Sequence, residues 1–93
     1  MEIKVYATLR DVVGGATVHF DDISEMTVGQ MLGTLCAKFP ALIPKLHING
    51  HDLHPAIQIL VNGRDMRYIN GLDTLLTAKD IVRIFPPVGG GLN

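Results

Sequence analysis

The chain has 93 residues, of which 47% are hydrophobic and 18% charged, a size and balance that suit one domain around one core. Eight basic and nine acidic residues are interspersed to a formal net charge of −1, which argues against nucleic-acid and membrane-surface binding and toward a protein partner. No apolar run approaches the ~20 residues of a bilayer span, the start is no signal peptide, and the lone Cys36 allows no internal disulfide, so the chain reads as cytosolic.

In chain order, Ile3, Val5, Ala7 and Leu9 alternate with polar neighbours and predict a first strand with one buried face. Gly14-Gly15 supplies a turn and Thr17 to Phe20 resumes the alternation, so residues 2–20 are expected to form an antiparallel hairpin with a longish loop, ended by Asp21-Asp22. Thr27 with Gln30 three residues on makes a capping box and predicts a helix start. Val28, Met31, Leu32, Leu35, Cys36 and Phe39 then form one helical stripe, stopped by Pro40. Gly29 and Gly33 flank the stripe and suit a closely packed neighbour or are simply tolerated.

From Pro40 to Pro55 three prolines and three histidines predict an irregular stretch with a helical turn near Ala41 to Leu46. Ile57 to Val61 predicts a strand with Ile57, Ile59 and Val61 inward, and Asn62-Gly63 turns it into a short partner near Asp65 to Tyr68. Leu72 to Leu76 is expected to be a turn carrying core leucines, followed by a last strand over Ile81 to Phe85 with Val82 and Ile84 inward. The fold class is α+β: a mixed sheet of four to five strands with one main helix across one face, the order of a ubiquitin-like β-grasp, with first and last strands parallel in the middle. Residues 1–88 form that domain and residues 89–93 a glycine-rich tail.

Tyr6, Leu60 and Phe85 have outward parity on neighbouring strands and predict an apolar docking patch rimmed by Lys4, Gln58 and Arg83. Beyond Phe85, Pro86-Pro87 block further strand, and Gly89, Gly90 and Gly91 form a thin segment that can thread into a narrow active site. Cys36 sits on the apolar stripe without a neighbouring helical cation and reads as a core thiol. His47, His51 and His54 have no alignment or completing ligand for a metal, and the aspartates and Gly14-Gly15 read as turns and caps.

Ile3-Lys4-Val5 with Ala7-Thr8-Leu9-Arg10, Thr27-Val28-Gly29, Val61-Asn62-Gly63, Gly71-Leu72-Asp73-Thr74 and above all Phe85-Pro86-Pro87-Val88 resemble the sulfur-carrier proteins of the MoaD/ThiS type, which include the small subunit of molybdopterin synthase. The resemblance covers nearly the whole chain and implies a carrier rather than an enzyme, with no bound cofactor. It implies that a terminal glycine carboxylate is adenylated with ATP by an adenylyltransferase related to ubiquitin-activating enzymes and converted to a thiocarboxylate. A sulfur-accepting synthase, such as the large molybdopterin synthase subunit, would then take the sulfur for molybdenum or tungsten cofactor, thiamine or cysteine synthesis. Tyr6, Leu60, Arg83, Phe85, Pro86 and Pro87 would meet these partners.

The sequence departs from the resemblance at its end, where Leu92-Asn93 follow the glycines. Aligning Phe85-Pro86-Pro87-Val88 with the family's ending makes Gly90-Gly91 the functional pair, with Gly89-Gly90 the alternative. Removal of Leu92 and Asn93 by a JAMM-type metalloprotease is the expectation. A protein modifier conjugated to lysines through the same tail, and a non-reactive β-grasp interaction module, are the other classes the residues allow.

Overall fold

The computed structural model describes residues 1–21, 24–47 and 52–87. Its main sheet has five strands in the order β2-β1-β7-β4-β5. Strand β1 (Glu2–Val5) lies antiparallel to β2 (Thr17–His19) and parallel to β7 (Ile81–Phe85). On the other side β7 runs antiparallel to β4 (Gln58–Val61), which turns into the two-residue β5 (Arg64–Asp65). First and last strands are thus adjacent and parallel, as the element order requires.

The inner face of this sheet is formed by Ile3, Val5, Ile59, Val61, Val82 and Ile84, all buried. Against it packs α2 (Val28–Lys38), whose Val28, Met31, Leu32, Leu35 and Cys36 join the same apolar cluster. The predicted capping box fixes the start of that helix. The Gln30 backbone N–H donates to Thr27 Oγ1 at 3.1 Å and the Thr27 N–H donates to Gln30 Oε1 at 2.8 Å, satisfying two donors that the first turn leaves open. The turn expected near residues 41–46 is also present, as a 3₁₀ segment Pro40–Leu42 followed by α3 (Ile43–Leu46).

The first hairpin differs from expectation. Strand β1 ends at Val5, and Ala7 adopts φ 53°, ψ −131°, while the Leu9 N–H donates to the Tyr6 carbonyl at 3.1 Å. That reverses the chain into a short helix, α1 (Thr8–Val13), which Gly14 closes at φ 78° with its N–H on the Arg10 carbonyl. The reason lies in Leu9, Val12 and Val13, spaced i, i+3, i+4: Leu9 is buried and both valines pack against the core, so helical spacing overrides the apparent alternation. Ala7 is consequently exposed rather than inward.

The later hairpin follows its sequence. Asn62 at φ 52° and Gly63 at φ 88° form the left-handed pair that a two-residue hairpin requires. The Asn62 side chain also donates to Asp80 Oδ1 and accepts the Ile81 N–H, both at 2.9 Å, which pins this turn to the start of β7. The partner strand is shorter than expected, since Met66–Tyr68 wind into a 3₁₀ turn.

The expectation of several core leucines in residues 72–76 is corrected. Gly71–Asp73 form a 3₁₀ turn entered at Gly71 φ 58°, and β6 (Leu75–Thr77) pairs with β3 (Glu25–Thr27) in a separate two-stranded ladder. Strand alternation in β6 sends Leu76 inward and leaves Leu75 60% exposed, while the turn leaves Leu72 43% exposed. Strand β3 has only three residues before the helix, too few to show a period.

Candidate docking face and tail exit

The face of the sheet away from α2 carries the alternate residues of the same strands. Pairing sets them in rows. Lys4 lies beside Arg83, which faces Leu60, which faces Asp65 on β5. One step toward the C-terminal end of β7, Phe85 faces Gln58, and Tyr6 stands just past the end of β1. Tyr6, Leu60 and Phe85, proposed from parity, and Arg83 from their rim are each half-buried and share one accessible face.

Tyr6 and Phe85 do more than share it. Their rings stack with centroids 4.2 Å apart and planes 11° from parallel. The Arg10 guanidinium lies 5.3 Å from the Tyr6 centroid on top of that pair, while its Nε–H donates to the Val5 carbonyl at 3.0 Å. Arg10 is the residue that sequence reasoning missed. Its place depends on the Ala7 reversal, and only a helical reading of residues 8–13 would have brought it back over Tyr6.

The ring pair marks the exit of the chain from the sheet. Phe85 is the last residue of β7, Pro86 is half-buried and Pro87 exposed, and neither proline has an N–H to continue a ladder. Gly89, Gly90, Gly91, Leu92 and Asn93 lie outside the described residues. The outer face at the end of β7 presents two stacked aromatic rings and a leucine among three cations, Lys4, Arg10 and Arg83. Asp65 at its far edge is 3.8 Å from Arg67 Nε.

The other chemical side chains sit elsewhere. Cys36 is buried in the core cluster, and desolvation pushes its thiol above the ordinary value, which opposes thiolate formation. His54 Nδ1 accepts the Ala56 N–H at 3.0 Å, His47 Nδ1 is buried without a hydrogen-bond partner, and His51 lies outside the described residues. Among the described residues no three His, Cys, Asp or Glu side chains gather as a metal-binding group, and no helix is long and apolar enough to cross a membrane.

A five-stranded mixed sheet with α2 across one face and a proline-bounded exit at the end of its central parallel strand is the ubiquitin-like β-grasp architecture. Solved structures agree: the crystal structure of small archaeal modifier protein 1 from Haloferax volcanii superposes with a TM-score of 0.83, at 35% identity over 98% of each chain. The chain belongs to the ThiS family, which it matches over residues 3–91. It is 35% identical to small archaeal modifier protein 3 of Haloferax volcanii over 91 residues, covering 98% of both chains. It is also 37% identical over 70 residues to an Archaeoglobus fulgidus protein named for a sulfur-carrier role, covering 75% of this chain and 80% of that one. These relatives are small carriers and modifiers rather than enzymes, and the chain is of that kind.

Proposed function

We propose that this protein carries sulfur on a C-terminal glycine, which the outer sheet face presents to an activating enzyme. The observation that carries the reading is the Tyr6–Phe85 stack at the point where β7 gives way to Pro86 and Pro87. A partner that grips this ring pair holds the root of the tail. From Phe85, Gly91 is six residues away, a reach of at most ~22 Å for a fully extended chain. Docking at the face therefore confines the glycine to a small volume, and the absence of side chains at Gly89 and Gly90 lets it enter a narrow channel.

The chemistry follows from the carboxylate. A carboxylate is a poor electrophile, so the Gly91 oxygen first attacks the α-phosphate of ATP in an adenylyltransferase related to ubiquitin-activating enzymes, and pyrophosphate leaves. Sulfide then adds to the acyl carbon and AMP departs, leaving a thiocarboxylate that a sulfur-accepting synthase consumes. Cofactor biosynthesis of the molybdopterin or tungstopterin kind, thiamine synthesis and cysteine synthesis are the destinations in question. Leu92 and Asn93 must come off first, by a protease of the JAMM type. The match to the family, which ends at Gly91, supports Gly91 as the functional terminus over Gly90.

A second reading has its own support. The likeness to small archaeal modifier protein 3 over nearly the whole chain favours conjugation of the same glycine to lysines of other proteins. Both routes share the adenylate and diverge afterwards. Incubation with ATP, a sulfide donor and the activating enzyme, followed by intact-mass measurement, separates them. One sulfur-for-oxygen exchange is the expected product of the carrier, lysine-linked adducts are the product of the modifier, and neither product would overturn both.

A further inference from the structure

The outer sheet face carries a row of charge that the fold leaves unbalanced. Lys4 and Arg83 are register partners in the parallel pairing of β1 with β7, so two half-buried cations stand side by side on one face at the middle of the sheet. Like charges placed opposite each other on neighbouring strands repel, and partial burial weakens the screening by water. Among the described residues neither cation has an ion-pair partner. Glu2 lies two residues before Lys4 with the same parity, at the start of β1, and Asp65 lies beyond Leu60 beside Arg67, so the acidic groups stand at the margins.

Arg10 adds a third cation with a narrower geometry. Its Nε–H is taken by the Val5 carbonyl at 3.0 Å, and its guanidinium carbon lies 5.3 Å from the Tyr6 ring centroid. These two contacts hold the head group in place, while its two Nη groups have no partner among the described residues and the residue is exposed. A guanidinium fixed on an aromatic ring with its Nη N–H groups open suits a carboxylate, whose two oxygens match the planar fork. The three cations thus surround an apolar centre of Tyr6, Phe85 and Leu60.

Resting on the reading that an activating enzyme docks on this face, we propose that the enzyme's matching surface is acidic around an apolar socket. One carboxylate meets the Nη groups of Arg10, a second lies between Lys4 and Arg83, and the socket takes the Tyr6–Phe85 rings. The cations repel one another in the free chain and are neutralised in the complex, so the same charges that cost the fold stability select and steer the partner. A nucleic-acid backbone would also answer the cations, but it would leave two rings and a leucine against phosphate, which favours a protein.

The test is ATP–pyrophosphate exchange by the activating enzyme on the chain ending at Gly91, with KM for the chain measured at about 50 and about 200 mM salt. KM should rise at least about threefold with salt. Arg10→Gln should raise KM about tenfold with little change in kcat and flatten the salt dependence, and Arg10→Lys, which keeps the charge without the fork, should recover only part of the loss. Arg83→Gln, at a sheet-surface position that leaves the core intact, should weaken binding yet raise Tm of the free chain by roughly 1–5 °C, because it removes the repulsion with Lys4. A KM insensitive to salt, an unchanged KM in both glutamine variants, or a single-stranded oligonucleotide that competes with the enzyme for this face would overturn the proposal while leaving docking itself standing. No exchange on the wild-type chain would overturn the docking reading and the proposal with it.

Discussion

The two faces of one sheet give opposite answers to the same pattern. On strands β1, β4 and β7 the inward residues Ile3, Val5, Ile59, Val82 and Ile84 are fully buried, while their immediate neighbours Lys4, Tyr6, Leu60, Arg83 and Phe85 stay half-buried and partly open to solvent. Period-two geometry lets a single strand contribute to the core with one residue and to the accessible outer face with the next. Each kind of substitution should therefore be felt differently: at inward positions in whether the domain folds and, on the proposed function, at outward positions in partner binding.

That contrast can be broken most severely at adjacent residues of β7. Ile84→Ala should cost about 2–5 kcal/mol in chemical denaturation, because the site lies at the centre of the core and leaves a cavity. Phe85→Glu should leave the domain folded yet lower affinity for the activating enzyme by about tenfold or more in a direct binding assay, since a central aromatic anchor is lost. Unchanged binding by that variant would sever the outer face from function. The reverse result, unfolding by Phe85→Glu with tolerance of Ile84→Ala, would exchange the roles of the two faces.

Smaller effects sharpen the picture at the margins. Ala7 holds a backbone conformation that favours glycine, at the turn that brings Arg10 over Tyr6, so Ala7→Gly should raise stability by about 1 kcal/mol as strain is relieved. A loss of stability in thermal denaturation would show that the turn is not strained. On α2, Gly33→Ala should stabilise by up to ~1 kcal/mol, because a Cβ there meets nothing within 4 Å. Gly29→Ala should gain less, since its Cβ would come within 3.4 Å of the Leu72 carbonyl oxygen. Equal gains at both glycines would mean the Leu72 turn yields freely.

The elements legible in the sequence were those with a local chemical signature. Thr27 and Gln30 announce the helix because each satisfies the other's backbone donor, and Asn62-Gly63 announces its hairpin because both residues accept positive φ. Residues 7–13 were not legible, since Ala7 and Leu9 fit a strand by period while Leu9, Val12 and Val13 fit a helix, and tertiary burial decided between them. Leu72 and Leu75 misled because hydrophobic identity alone does not say which side of a 3₁₀ turn or a short edge ladder faces inward. The outer-face rings were found from parity, whereas Arg10 depended on the turn that parity had concealed.

On the proposed function, the outer face hands Gly91 to an activating enzyme once the last two residues are gone. ATP–pyrophosphate exchange by that enzyme, measured on chains ending at Gly91, at Asn93, and at Gly91 with Phe85→Glu, tests it most directly. Robust exchange is expected only for the first chain. Equal exchange with the chain ending at Asn93, or with the Phe85→Glu chain, would contradict it.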